Sequence, residues 1–163
     1  MALVNGCEGI GTGWSTFVPN YNPRDIIANA KRLLTGEQME PMDPWYKGFT
    51  GTIEKVASKE GGCTYAVNGI IEEINETTLR ITELPVRRWT EDYKAFLNSV
   101  VEGLRDESGQ LPKDPFVKDF RNYSTNDHAI FEVFLSEESM SAAKQEGLIK
   151  KFKLSSTIST SNM

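Results

Sequence analysis

Histidine and cysteine are almost missing from this chain. One histidine and two cysteines occur in 163 residues. Cys7 and Cys63 show no metal-ligand spacing, which excludes the paired-cysteine zinc sites and a disulfide scaffold. They are expected as free thiols in a reducing compartment. His128 lies in the turn-like run YSTNDH and reads as a solvated turn residue rather than a catalyst. No D-x-D cluster is present to hold a divalent cation. No apolar run approaches the roughly eighteen residues of a membrane-spanning helix. The start, MALVNG, lacks the basic and apolar regions of a secretory signal. A basic excess is lacking too, because the formal net charge is −5. Nucleic-acid affinity comes largely from neutralised phosphates, so strong unaided DNA binding is not expected of the chain as a whole. A local basic face remains compatible with that balance.

Glycine is concentrated where other residue types are scarce. Gly6, Gly9, Gly11 and Gly13 fall within LVNGCEGIGTGWSTFVP, residues 3–19. Such a density predicts a tight, shaped loop rather than a helix. It is not a nucleotide cradle. No lysine precedes Lys31, so the Gly-Lys-Ser/Thr of a P-loop is absent, and Trp14 stands where the dinucleotide fingerprint needs its third glycine. Ile10, flanked by two glycines, has little of its own chain to bury it. Two readings are open: Ile10 and Trp14 pack into the core as part of a structural turn, or Ile10 points outward as an apolar wedge.

Beyond the loop the pattern reads loop–α–β–β–β–α–β–β–α, an α+β fold with a mainly antiparallel sheet and flanking helices. Asn22-Pro23 opens a helix with a good N-cap and a proline in its first turn, and Gly36 ends it. Ile26, Ile27, Ala30, Leu33 and Leu34 predict its buried face. Lys31 and Arg32 in its last turn have a structural reading as partners of the helix dipole. Residues 37–47 read as a loop in which Trp45 and Tyr46 pack. Residues 48–56, 63–74 and 77–84 predict an antiparallel meander, with SKEGG as a turn and Gly69 as a bulge in the second strand. Leu79 and Ile81 fall on one face of the third strand, Arg80 and Thr82 on the other. Thr90 is the expected N-cap of a second helix, with Tyr93, Phe96, Leu97, Val100, Val101 and Leu104 as its apolar stripe. A polar loop at 105–115, a hairpin over 117–136 turning at TNDH, and a short helix capped by Ser136 and ended by Gly147 follow. The tail carries Lys150, Lys151 and Lys153 before a β-prone run.

Val86-Arg87-Arg88-Trp89 sits between a strand end and a helix start. Two guanidiniums and an indole N–H suit phosphate oxygens. A core tryptophan with two solvated arginines is the plainer alternative.

Four collinear blocks carry a resemblance over nearly the whole chain: NGCEGIGTGWSTFVPNYNPRDI, MDPWYKGFTGTIE at 42–54, ITELPVRRWTEDYK at 81–94 and EGLIKKFKLSSTISTSNM at 146–163. Together they resemble eukaryotic DNA topoisomerase II, a type IIA enzyme, in the segment that follows its catalytic-tyrosine domain. The GIGTGW form is closer to the eukaryotic enzyme than to bacterial gyrase. The resemblance implies that Ile10 inserts between base pairs of the cut DNA segment and that Trp89 contacts DNA. Arg87 is the matching arginine, and Arg88 occupies a position the family varies. It implies one domain over 1–163, the tower or shoulder of the DNA gate, with a wedge loop at 1–20 and an α+β tower at 21–163. It further implies that the catalytic tyrosine lies upstream, since none of the five tyrosines follows an arginine. No catalytic, cofactor or metal residue is expected here. Mg²⁺ and ATP belong to other parts of the full-length family, which is a homodimer, acts in the nucleus and needs no membrane. The expected role is binding and bending of double-stranded gate DNA. The alternatives are a free-standing DNA-bending module and an interaction domain that binds no DNA.

Overall fold

Residues 1–56, 63–101, 116–125 and 127–163 are described by a computed structural model. In chain order the elements are α1 (Ala2–Asn5), β1 (Cys7–Gly11), β2 (Trp14–Val18), α2 (Pro23–Thr35), β3 (Thr52–Val56), β4 (Thr64–Asn68), β5 (Ile70–Asn75), β6 (Thr78–Glu83), α3 (Thr90–Val101), β7 (Asp119–Asn122), β8 (Phe131–Phe134), α4 (Glu137–Glu146), α5 (Leu148–Lys151) and β9 (Ser155–Ser159). The α+β class is as the sequence implies. Two units are distinguished: one of Met1–Phe49, Ile53–Ala66 and Thr157–Met163, the other of Thr50–Thr52 and Val67–Ser156.

The first unit contains the β1–β2 hairpin, α2 and most of a three-stranded sheet of order β3-β4-β9. The Asn22 side chain accepts from Arg24 N at 3.0 Å, and α2 ends at Gly36 in the left-handed conformation. Its apolar stripe does not pack as the spacing suggests. Ile27, Leu33 and Leu34 are exposed, and the buried residue of this helix is Asn29. The reason is local. Asn29 Nδ2 donates to the Glu40 carbonyl at 2.8 Å, and Glu40 N donates back to Asn29 Oδ1 at 2.9 Å. Arg32 adds a 2.7 Å ion pair to Glu40. A paired amide, rather than an apolar row, fixes which side of α2 the following loop covers. Tyr21, Tyr65 and Ile158 supply buried apolar surface in this unit. Burial, reinforced by a 3.0 Å hydrogen bond to Asp43, holds the Tyr65 phenol above its ordinary pKa.

In the second unit the sheet has the order β5-β6-β8-β7, antiparallel throughout. Leu79 and Ile81 alternate inward from β6 and are fully buried. Arg80 faces the other way and pairs with Glu132 on β8 at 2.7 Å. Tyr93 and Leu97 of α3 are buried against this core, with Phe96, Val100 and Val101 partly so. The Tyr93 hydroxyl donates to the Phe152 carbonyl at 2.9 Å, and its ring meets Phe131 edge-on at 5.5 Å. Ser136 caps α4 by accepting from Ser139 N at 3.2 Å.

Three expectations are corrected. The strand expected over 63–74 is two strands in different sheets, because the chain changes sheet at Gly69. There its N–H donates to the Leu154 carbonyl at 2.8 Å, and a Cβ would overlap the Glu83 carbonyl oxygen. The simple meander is replaced by β6 pairing with β8 as well as β5. Trp89, rather than Thr90, holds the N-cap position of α3, since its carbonyl accepts from Tyr93 N at 3.0 Å. The SKEGG turn, the 105–115 loop, Leu104 and the middle of TNDH lie outside the described residues.

Candidate nucleic-acid interface

The glycine-rich segment is a two-stranded hairpin, not an irregular loop. Ile10 pairs with Ser15 and Gly11 with Trp14, leaving Thr12-Gly13 as the turn. Gly13 has φ 78°, a conformation that L side chains avoid, so glycine is required there. Every residue of β1 is exposed. Ile10 is 86% exposed and Trp14 67%, which overturns their packing into the core. Within its unit the hairpin is tied at the base by Phe17 N donating to the Asn162 carbonyl at 3.3 Å. The glycines on either side of Ile10 leave its side chain standing alone near the tip. Register also sets Ile10 and Trp14 on opposite faces, because Ile10 lies across from Ser15 and Trp14 from Gly11.

The second element lies in the other unit. Pro85, Val86, Arg87 and Arg88 form a β-turn closed by Arg88 N donating to the Pro85 carbonyl at 3.0 Å. Arg87 takes its third position with φ 71°, where glycine is the relaxed residue. The turn delivers Trp89 to the surface, 75% exposed. Arg87 is exposed and Arg88 is half-buried, close enough to Tyr93 to oppose the burial that raises that phenol. The core reading of Trp89 is therefore not met. Both candidate elements present apolar or aromatic groups to solvent, one flanked by glycines and the other by guanidiniums.

Other expectations are placed as follows. His128 is exposed, with its N–H donating to Thr125 Oγ1 at 3.2 Å. Both cysteines are free thiols. Arg32 is engaged with Glu40 and Asn29, in keeping with its structural reading. Among the described residues no group of three or more His, Cys, Asp or Glu could hold a metal ion, so no step through a metal is assigned to them. No helix among them is long and apolar enough to cross a membrane. The lysines of the tail were visible in the sequence only as a charge cluster. Two of them, Lys150 and Lys153, border a groove with Arg88.

Residues 1–163 match in full the family described as DNA gyrase/topoisomerase IV, and the class is that of the type II DNA topoisomerases. Within that class the chain belongs to the DNA topoisomerase II family. It is 62% identical over 161 residues to DNA topoisomerase 2 of Arabidopsis thaliana, covering 99% of this chain and 10% of that protein. It is 58% identical over 163 residues to DNA topoisomerase 2 of Pisum sativum, covering 100% of this chain and 11% of the relative. The fold is similar to the crystal structure of the Plasmodium falciparum topoisomerase II DNA-binding, cleavage and re-ligation domain. The TM-score is 0.86 at 44% identity, over 99% of this chain and 20% of the other. The chain thus spans about a tenth of the length of the plant relatives it matches.

Proposed function

We propose that this chain is the DNA-contacting shoulder of a type II topoisomerase gate, and that it serves changes in DNA topology by gripping and bending the duplex to be cut. The observation that carries the reading is Ile10, an apolar side chain held 86% exposed on a glycine-flanked hairpin. An apolar wedge partly unstacks a base step for a few kcal/mol. Burying one isoleucine returns about 1.5–3 kcal/mol. The wedge alone roughly breaks even, so phosphate contacts must hold the bent duplex. Arg87, Arg88 and Trp89 are suited to that, the guanidiniums by their fork and the indole by its N–H.

In this reading the cleaving tyrosine, the Mg²⁺ site and ATP hydrolysis belong to the rest of a nuclear, homodimeric enzyme. The chain by itself performs no cleavage. The name of the Plasmodium structure, which joins DNA binding with cleavage and re-ligation, supports placing these residues beside the gate.

The test is made in a full-length type II topoisomerase carrying this segment. Ile10→Ala is expected to lower DNA cleavage while leaving the fold intact. Trp89→Ala is expected to weaken DNA binding about tenfold, the worth of one charge-assisted hydrogen bond of ~1.5 kcal/mol. Unchanged cleavage with Ile10→Ala removes the wedge. An unfolded Trp89→Ala protein makes Trp89 a packing residue.

A further inference from the structure

The second unit carries an open groove bordered by Arg88, Gly147, Ile149, Lys150, Lys153 and Ser155. None of these lining residues is acidic. The two lysines come from the end of α5, and the backbone there is unusual. Leu154 N donates to the Ile149 carbonyl at 2.8 Å and Lys153 N to the Lys150 carbonyl at 3.1 Å. That pair of bonds is a Schellman motif, whose left-handed position is ordinarily glycine. Lys153 fills it with φ 52°. Arg87, beside Arg88, has φ 71°. Among the described residues these are the two non-glycine positions with positive φ, and both are cations. Backbone strain of this kind persists where the surrounding structure or a function holds it.

The neighbouring lysine behaves differently. Lys151 pairs with Glu146 at 2.8 Å and lies over the Phe116 ring at 4.7 Å, so its charge is spent internally. Lys153 lies over Phe96 at 4.8 Å, a contact that positions an ammonium without neutralising it. Lys150 is exposed at the groove edge.

We propose that this groove takes the phosphate backbone of duplex DNA, with Lys150 and Lys153 adding phosphate contacts beyond those of the Arg87–Trp89 turn. The proposal rests on the reading of that turn as a DNA contact. Arg88 belongs to both, so a duplex lying on Trp89 meets the groove without a break in positive charge. Lysine ammoniums are compact, rotatable point charges, suited to a backbone that passes rather than to one bidentate anion. The groove itself is open and floored by Gly147 and Ile149, which offer no side-chain partner to the amides of a peptide. Duplex phosphate is favoured over an acidic peptide on that account.

The experiment is fluorescence anisotropy of a labelled duplex with the 163-residue chain, from about 50 to about 200 mM salt, the range over which phosphate contacts are lost. Wild type is compared with Lys150→Gln/Lys153→Gln, with Lys150→Arg/Lys153→Arg and with Ile10→Ala, each checked for folding by circular dichroism. Two lost phosphate contacts should reduce the slope of log affinity on log salt by about 1.8. Across that fourfold change in salt, the glutamine pair should lose about twelvefold less affinity than wild type loses. The arginine pair should keep the wild-type slope, and Ile10→Ala should leave it unchanged. An unchanged slope in the glutamine pair, with Ile10→Ala still impairing binding, overturns the groove and leaves the proposed function standing. Absence of wild-type binding at the lowest salt overturns both. Capture of polyglutamate in place of duplex overturns the groove as a DNA site.

Discussion

Arg87 illustrates how much a single residue can be asked to bear. It holds the left-handed third position of the Pro85–Arg88 turn. An L residue there costs about 1–2 kcal/mol that glycine does not pay. Replacing Arg87 by glycine should therefore raise stability toward unfolding in urea by about 1 kcal/mol, offset in part by the extra chain entropy of glycine. The same change should weaken duplex binding. A variant that is more stable and binds less well marks the strain as serving the contact. Ile10 makes the complementary case at this scale. Its exposure removes apolar area from the core and gives the fold nothing in return, so a partner surface is the natural place for that area to be buried.

At the scale of elements, α3 and the strands beneath it are held by Tyr93. Burial pushes its phenol well above the ordinary 10.0, against the pull of Arg88. The folded chain then keeps a proton that the unfolded chain releases, so the stability this group contributes is complete below pH 10 and declines as pH rises above it. Tyr93→Phe should flatten the alkaline loss, seen by urea unfolding at about pH 8 and about pH 11. At neutral pH it should cost about 1 kcal/mol, because the Phe152 carbonyl loses its donor. A residual alkaline slope is expected from Tyr21 and Tyr65, whose phenols are also raised by burial. An undiminished slope in Tyr93→Phe would contradict this role of Tyr93 in the core.

The elements also separate what pattern reveals from what it hides. The start and end of α2, the inward alternation of Leu79 and Ile81, the hairpin of β7 with β8 and the Ser136 cap were legible, because each depends on neighbours in sequence. The covered side of α2 was not, since it is decided by Asn29 reaching Glu40 eleven residues on. Nor was the break at Gly69, which depends on the approach of the Glu83 carbonyl. In the glycine-rich segment, composition excluded a helix but could not distinguish a loop from a hairpin. Thr12-Gly13 with Gly11 facing Trp14 is a pairing that only the register discloses. Candidate site residues were found by resemblance in the case of Ile10 and Trp89. Their exposure came from the structure, as did the placing of Lys150 and Lys153 beside Arg88.

For the whole molecule the governing quantity is charge. A net −5 opposes an approaching duplex, yet the Debye length at 0.1 M salt is about 10 Å. Phosphates lying on Arg88, Lys150 and Lys153 are then governed by those cations more than by carboxylates elsewhere on the surface. Weak, salt-sensitive binding is the expected behaviour of this chain, with the rest of a gate supplying further grip. The most direct measurement is energy transfer between the ends of a short duplex with a central TA step, the kind most easily kinked. It is made at low salt with the bound 163-residue chain, as wild type and as Ile10→Ala. Wild type is expected to bring the duplex ends closer, and Ile10→Ala to bind while leaving them apart. Equal bending by both proteins, or a bound wild type that leaves the duplex straight, would contradict the wedge.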